Sequence, residues 1–186
     1  MAADKILRGK LLVADPHLPD ANFFRSVVFL IEHNEEGAIG LVLNRTSERS
    51  IAELWDEISE KPCESEAKID LGGPVEGPLM AIHTLPHLAE LEIIPGIFFA
   101  AQRDHLDDLV HTTQSPYRLF VGHSGWGPGQ LEQELDEGFW LVTEPSNELI
   151  FHSADGLWEQ AAKQVGDSVL RDSIHIRHIP DDPSMN

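Results

Sequence analysis

The fold class follows from residues 25–43, which read Arg25-Ser-Val-Val-Phe-Leu-Ile-Glu-His-Asn-Glu-Glu-Gly-Ala-Ile-Gly-Leu-Val-Leu43. Residues 25–32 are a nearly continuous apolar run, which is typical of a strand that is buried on both faces. Residues 33–37 are polar and end in a glycine, so they predict a turn, and residues 38–43 form a second apolar run. Two apolar runs joined by a short loop that contains glycine predict an antiparallel hairpin.

Helices and further strands are predicted on the C-terminal side of this hairpin. Ser50 and Glu53 form a capping box, and the apolar stripe that follows predicts a helix over 51–58. Similar patterns predict helices over 104–112, 130–136 and 155–165, the last ended by Gly166. Strands are predicted over 10–14, 68–71, 79–83, 91–94, 97–101, 117–121, 139–143 and 147–151. Because several of these strands follow one another without a helix between them, we predict an α+β fold with much antiparallel pairing.

Length and chain ends indicate one cytoplasmic domain. A chain of 186 residues is expected to form a single domain. Residues 1–9 and about 179–186 are expected to be flexible ends, since the last residues are polar and rich in turn formers. The start of the chain has no apolar core of a secretory signal, and no apolar run approaches the roughly 20 residues that span a bilayer. We therefore expect a cytoplasmic protein that does not enter a membrane.

The charge of the chain argues against nucleic acid as a partner. The sequence has 13 basic and 32 acidic side chains and a formal net charge of −19. Residues 119–162 contain eight acidic side chains and no Lys or Arg. Nucleic-acid-binding proteins gain most of their affinity from Lys and Arg at phosphates, so we expect no direct nucleic-acid binding. The acidity is explained by solubility or an acidic proteome, or alternatively by a basic protein partner.

The most unusual segment, Gly122-His-Ser-Gly-Trp-Gly-Pro-Gly-Gln130, lies between a predicted strand and a predicted helix. One hypothesis is a serine hydrolase that uses Ser124 in a nucleophile elbow, with a histidine such as His152 as base. However, Trp126 stands where that motif has its last glycine, and Pro128 prevents a helix from starting directly after Ser124. A second hypothesis is a glycine-rich turn that positions Trp126 for packing. The third is a ligand pocket with Trp126 as a platform and His123 and Gln130 as polar contacts.

No other motif predicts a cofactor or a metal. Residues 72–78, Gly-Gly-Pro-Val-Glu-Gly-Pro, lack the Lys and the Ser or Thr of a phosphate-binding loop, so a tight chain reversal is predicted. His83 and His87 have the four-residue spacing of a metal-binding pair, but Pro86 lies between them and prevents a shared helix face. Cys63 lies near two glutamates, which disfavour a reactive thiolate. We expect no bound cofactor and no bound metal.

Taken in order, these segments resemble the AlgH/YqgE family of bacterial proteins. The resemblance covers roughly residues 10–166 and is most specific at Gly72-Gly-Pro-Val75 and Gly125-Trp-Gly-Pro-Gly-Gln-Leu-Glu132. The other matching segments are Leu12-Val-Ala14 with Pro16, Phe24-Arg-Ser-Val-Val28, His33, Gly37-Ala-Ile-Gly40, Asn44, His83, Trp140, and Phe151 with Trp158. The resemblance implies one domain of curled, mixed sheets with flanking helices and no accepted enzymatic activity, although some members are called transcriptional regulators. The family motif commonly has Ala at the position of Ser124, which weakens the hydrolase hypothesis.

The leading hypothesis is a non-catalytic binding domain for a protein or a small ligand, with regulation as one role. Serine hydrolysis by Ser124 and transcriptional regulation are the alternatives. The residues expected to line its face or pocket are Arg25, His33, Asn44, His123, Ser124, Trp126 and Gln130. Because Arg25 precedes one strand of the hairpin and Asn44 follows the other, we expect these two residues at the same end of the hairpin. A homo-oligomer is compatible with the sequence, although no heptad or exposed apolar stripe points to an interface.

Overall fold

The computed structural model describes residues 6–151 and 154–174 and contains, within these ranges, two β-sheets and five helices. The strands are β1 (Leu11–Ala14), β2 (Val27–Asn34), β3 (Gly37–Val42), β4 (Thr46–Ser50), β5 (Lys68–Leu71), β6 (Met80–His83), β7 (Leu91–Ile94), β8 (Ile97–Ala100), β9 (Tyr117–Val121), β10 (Ser124–Trp126) and β11 (Trp140–Thr143). The helices are α1 (Ile51–Ile58), α2 (Arg103–Val110), α3 (Gln130–Asp136), α4 (Asn147–Phe151) and α5 (Leu157–Ile174). No described helix is both long and apolar enough to cross a bilayer.

The predicted hairpin is confirmed as β2 and β3, which pair antiparallel from Val28 opposite Val42 to Asn34 opposite Gly37. It forms the centre of a five-stranded sheet with the order β10-β3-β2-β1-β11, in which all pairs are antiparallel. The second sheet has the order β4-β5-β9-β6-β8-β7 and is mixed, since β5 and β9 run parallel. The predicted α+β fold class is therefore confirmed, with antiparallel and mixed sheets and flanking helices in a single domain.

The first sheet is buried on both faces, which explains the continuous apolar run in β2. Leu12 and Val28 belong to the core on one face, where α3 packs, and Leu11 and Phe29 belong to the core on the other. That second core also contains apolar side chains of the mixed sheet and of α4 and α5. Helices α1 and α2 cover the remaining face of the mixed sheet.

The first sheet is curled, because its two edge strands approach each other. Trp126 on β10 and Trp140 on β11 have ring centroids only 5.8 Å apart, and Phe23 packs against both rings. The Glu134 carboxylate on α3 accepts both indole N–H groups at its Oε2 atom, at 2.9 Å from Trp126 and 2.8 Å from Trp140. One carboxylate of α3 thus bonds to both edges of the sheet.

The Gly72-Gly73 segment joins the two sheets through backbone contact. Gly72 N–H donates to the Val121 carbonyl of the mixed sheet at 3.0 Å, and its own carbonyl accepts Val42 N–H of the first sheet at 2.9 Å. Gly73 has φ +152°, and a Cβ atom there would lie 2.3 Å from the His123 carbonyl. The chain does reverse here, as predicted, and the second glycine is required because another backbone passes so close.

One predicted element and one predicted helix end are wrong. Residues 147–151 form helix α4 and not a strand, because the Ser146 hydroxyl accepts Leu149 N–H at 3.1 Å and caps the turn. Helix α5 does not end at Gly166 but continues to Ile174, with no left-handed backbone at the glycine. A glycine in a helix interior costs only about 1 kcal/mol, so it need not end the helix.

Residues 6–9, which belong to the expected flexible end at residues 1–9, include one buried side chain. Leu7 is buried in the core under α3, and its N–H donates to His33 Nδ1 at 3.1 Å. Burial of one apolar side chain and one backbone hydrogen bond fix residues 6–9. Residues 1–5, His152 and the tail from residue 175, including the expected flexible residues 179–186, lie outside the described residues.

His83 on β6 is a fully buried titratable side chain. Its Nδ1 atom accepts Leu85 N–H at 3.2 Å, so the neutral ring carries its proton on Nε2, which has no hydrogen-bond partner among the described residues. Burial away from water, together with the charge of His105, lowers the pKa of His83 to about 4. The ring is therefore neutral at pH 7.

Removing the Glu134 carboxylate should destabilise the curled sheet. We expect Glu134→Ala to lower the free energy of unfolding by roughly 2–4 kcal/mol, because two buried indole N–H groups lose their acceptor. Glu137→Ala, at the exposed end of the same helix, is the matched control and should stay within about 0.5 kcal/mol of the parent. Urea unfolding followed by tryptophan fluorescence measures both, and equal values for the two variants would contradict the assignment.

The depressed pKa of His83 predicts a pH-dependent stability. Between pH 6.5 and pH 4 the unfolded chain binds a proton at His83 that the folded protein excludes, so stability falls as the pH falls. Between pH 7 and pH 5 we expect this difference in proton binding at His83 to lower the free energy of unfolding by about 2 kcal/mol. His83→Gln keeps a side-chain acceptor for Leu85 N–H but cannot titrate, so urea unfolding at the two pH values should show that much less acid sensitivity. An unchanged acid sensitivity in the variant would show that His83 is not the responsible group.

Candidate functional site

The structure separates the predicted site residues into groups along the hairpin. Asn44 Nδ2 donates to the Arg25 carbonyl at 2.8 Å, so the predicted proximity of these two residues is confirmed. His33 and Trp126 both lie opposite Ala38 near the turn at the other end of the hairpin. The seven residues therefore do not line one common pocket.

At the turn end, the polar groups of the predicted residues bond within the protein. His33 Nε2 donates to Glu132 Oε1 at 2.7 Å, because its Nδ1 atom is occupied by Leu7 N–H. Gln130 donates from Nε2 to Glu134 Oε1 at 2.9 Å, and Trp126 donates to the same carboxylate. The His33–Glu132 and Trp126–Glu134 bonds attach α3 to the curled sheet, whereas the Gln130–Glu134 bond lies within α3.

Ser124 lies inside strand β10 and not on an exposed turn. Its side chain has 0% exposure, and its hydroxyl donates to the Gly72 carbonyl at 3.1 Å. The neighbouring His123 pairs with Val75 through two backbone hydrogen bonds of 2.9 and 3.0 Å. In this arrangement the Ser124 hydroxyl contributes a hydrogen bond between the segments that join the two sheets.

At the other end of the hairpin, Arg25 has a strained backbone. Its φ of +51° is the only positive value at a non-glycine residue in the described ranges. Asn44 holds this conformation from both sides, since its Oδ1 atom accepts Val27 N–H at 2.9 Å while its Nδ2 atom bonds the Arg25 carbonyl. Arg45 adds a hydrogen bond to the Phe24 carbonyl. Such strain persists only where the surroundings enforce it, and it concentrates at functional sites.

The strained backbone presents the Arg25 side chain between two aromatic rings. Its guanidinium carbon lies 5.5 Å from the centre of the Phe24 ring and 5.1 Å from that of Trp158, within the range of cation–π attraction. The Oε1 atom of Glu159 lies 3.7 Å from Nη1 of Arg25. Arg25 is therefore an exposed cation with a defined position.

A cleft of about 820 Å³ lies beside this end of the hairpin. Asn44 and Arg45 contribute to its wall from the hairpin, and the mixed sheet and the end of α4 contribute the rest. Its charged lining residues are Arg45, Lys68, Asp70, Arg118 and Asp155, and its apolar and aromatic lining includes Ile51, Tyr117 and Phe151. This volume and mixture are typical of sites for small ligands.

A buried ion pair lies in the wall of the cleft. Arg118 Nε donates to Asp70 Oδ2 at 2.8 Å, and both side chains are at most 10% exposed. The guanidinium also donates to the carbonyls of Leu43 at 2.6 Å and Ile150 at 2.9 Å. Sequence reasoning missed this pair, although Arg118 is the single charge of the predicted strand 117–121 and Asp70 lies between Ile69 and Leu71. A buried charge requires a partner.

Two further cations of the cleft, Arg45 and Lys68, have no carboxylate within salt-bridge distance among residues 6–151 and 154–174. Neither Arg45 nor Lys68 forms a salt bridge with a carboxylate in the part of the chain that the structure describes, although the charge of Lys68 contributes to the lowered pKa of Glu53. Arg45 donates to the carbonyls of Asn44 and Phe24, and Lys68 to that of Glu48. Sequence reasoning also missed these residues, because nothing local distinguishes them from ordinary surface cations.

No metal site is formed by the residues that the structure describes. No group of three or more His, Cys, Asp or Glu side chains in residues 6–151 and 154–174 converges closely enough to hold a metal ion. The described lining of the cleft combines the cations Arg45, Lys68 and Arg118 with the carboxylates of Asp70 and Asp155.

Comparison with known proteins identifies the family. Residues 11–170 match the model of a family described as AlgH-like. A UPF0301 protein of Chlorobaculum tepidum is 34% identical, with 96% of this chain and 95% of the relative covered, and one of Ruegeria pomeroyi is 36% identical, with 92% and 98% covered. The solution structure of the AlgH protein from Pseudomonas aeruginosa has 28% identity and a TM-score of 0.76, with 96% of this chain and 99% of that chain covered. The resemblance inferred from the sequence is confirmed, and the chain belongs to the AlgH-like family.

Proposed function

We propose that this protein is a non-catalytic, cytoplasmic binding domain for a small ligand, with the cleft beside Asn44 as its binding site. The observation that supports the proposal is the strained Arg25 backbone, which Asn44 fixes next to a cleft of about 820 Å³. Strain maintained by dedicated hydrogen bonds beside a cavity indicates a preformed site. The ligand would meet the cations Arg45 and Lys68 and the aromatic side chains Tyr117 and Phe151.

The opposite end of the hairpin supports a binding role less well. The cavity there has about 510 Å³ and is lined by His33 and Glu132, which bond to each other. A ligand at that place would have to break the His33–Glu132 bond or rely on the exposed Ile6 side chain. In the Asn44 cleft, Arg45 and Lys68 offer donors without breaking an existing ion pair.

The two alternatives receive less support from the geometry. A serine hydrolase needs a nucleophile that the substrate can reach, and the Ser124 hydroxyl is buried and bonded to the Gly72 carbonyl. A regulator that contacts DNA directly needs a basic surface, and this chain has a net charge of −19. Regulation through a bound small ligand remains compatible with the proposal.

A screen of small molecules tests the proposed site. In two-dimensional amide NMR spectra, we expect binding compounds at 1 mM or less to shift the signals of Arg45, Thr46 and Lys68. Asn44→Ala should weaken these compounds at least tenfold, because Asn44 lines the cleft and its side chain holds the adjoining backbone of Arg25 and Val27. The matched control is Asn34→Ala, which removes a comparable side-chain network at the turn of the same hairpin. A screen that finds no compound, or only compounds that shift signals elsewhere, would refute the proposal.

A fluorophosphonate probe tests the hydrolase alternative. We expect no labelling of the folded protein at neutral pH, because the Ser124 hydroxyl is inaccessible and its proton is donated to Gly72 O. The control is Ser124→Ala, which should give the same background signal as the parent. Labelling that disappears in Ser124→Ala would establish a reactive serine and contradict the non-catalytic assignment.

A further inference from the structure

We infer that the ligand of the Asn44 cleft is a phosphate monoester with a planar, apolar body, of which a nucleoside monophosphate is the simplest example. The inference rests on the proposed function and specifies the chemistry of that same site. It is based on the balance of charges in the cleft, on the donors that remain available there, and on its aromatic lining.

The balance of charges favours an anion. Arg118 and Asp70 neutralise each other within the wall, so Arg45 and Lys68 are left against the single carboxylate of Asp155. The chain has 32 acidic and 13 basic side chains, so two cations in one cleft that form no salt bridge with any described carboxylate are an exception to the general surplus of acid. A small surplus of positive charge suits one phosphate group better than a polyphosphate.

The remaining donors are already oriented. Arg45 uses two of its guanidinium N–H groups on the carbonyls of Asn44 and Phe24, which leaves three of its five donors for a ligand. Lys68 uses one of its three donors on the carbonyl of Glu48. Because backbone carbonyls hold the Arg45 guanidinium, little side-chain entropy is lost when an oxyanion binds. Charge-assisted bonds from Arg and Lys to phosphate are strong.

The apolar lining indicates that the ligand is more than inorganic phosphate. Tyr117 is half-buried, and Ile51 and Phe151 also face the cleft. Aromatic and aliphatic side chains stack on planar rings, and a cleft of about 820 Å³ is large enough for a ring, a sugar and a phosphate. Asp155 is an acceptor for hydroxyl groups of such a ligand.

The same charges distinguish a small anion from a nucleic acid. At physiological ionic strength the screening length is about 8 Å, so a small ligand in the cleft is affected mainly by the nearest cations. A longer polyanion would extend beyond the cleft over the surface of a chain whose formal net charge is −19. We therefore expect the cations of the cleft to bind a monophosphate, while the negative charge of the whole protein repels a polynucleotide.

Calorimetric titration with adenosine 5′-monophosphate, adenosine and inorganic phosphate tests the inference. We expect the monophosphate to bind at least tenfold more tightly than either fragment, and its affinity to fall severalfold between 50 and 300 mM salt. Lys68→Gln, at an exposed position, should weaken binding of the monophosphate about tenfold, and Arg45→Gln should do so at least as strongly. Arg49→Gln is the matched control, because Arg49 lies on the same strand as Thr46 but pairs with Glu57 outside the cleft.

The outcomes separate the inference from the proposed function. Equal affinity for adenosine and its monophosphate, with amide shifts at the cleft, would overturn the anionic ligand but leave the binding site intact. The absence of binding by all three probes would overturn the inference, while the screen described above would still decide the proposed function. Equal weakening by Lys68→Gln and Arg49→Gln would show a general charge effect and would also overturn it.

Discussion

The arrangement of the two sheets depends on the buried ion pair of Arg118 and Asp70. The Arg118 guanidinium donates hydrogen bonds to the Asp70 carboxylate on the mixed sheet. It also donates to two carbonyls, that of Leu43 at the end of the hairpin and that of Ile150 in α4. A buried charge without partners costs several kcal/mol, so these three elements must meet around Arg118. Their meeting point forms a wall of the Asn44 cleft, which is therefore a consequence of how the sheets are joined and not a feature added to the surface.

The two ends of the central hairpin differ in how their donors and acceptors are balanced. At the turn, acceptors on α3 match the donors, since Glu134 accepts hydrogen bonds from both indole N–H groups and Glu132 accepts one from His33 Nε2. Near Asn44, donors exceed acceptors, because within the described residues Arg45 and Lys68 bond only main-chain carbonyls. A satisfied end stabilises the fold, and an end with surplus donors has capacity for a ligand. This contrast is the reason for placing the function near Asn44 and not near Trp126, the residue that stands out most in the sequence.

Local sequence patterns predicted most of the fold and one part of the site. The hairpin and the capping box at Ser50 were predictable because each depends on residues close together in the chain. Asn44 was placed correctly beside Arg25 by strand register alone. The bonds of Arg118 could not be predicted, since its partners are 32, 48 and 75 residues away in sequence. The φ of Arg25 was equally inaccessible, because arginine has no intrinsic preference for the left-handed region, and only its tertiary partners impose it.

Ser124 shows how a residue can suggest catalysis in the sequence and serve packing in the structure. Its hydroxyl donates to the Gly72 carbonyl, but that carbonyl already accepts Val42 N–H at 2.9 Å. A carbonyl oxygen has two lone pairs, so the hydroxyl adds a second bond and does not satisfy a group that would otherwise be unpaired. An alanine at this position would leave no buried backbone group without a partner, which fits the Ala that the family motif commonly has there. Because the Ser124 hydroxyl is buried and bonded, the cations and aromatic rings near Asn44 are more accessible to a ligand than this hydroxyl.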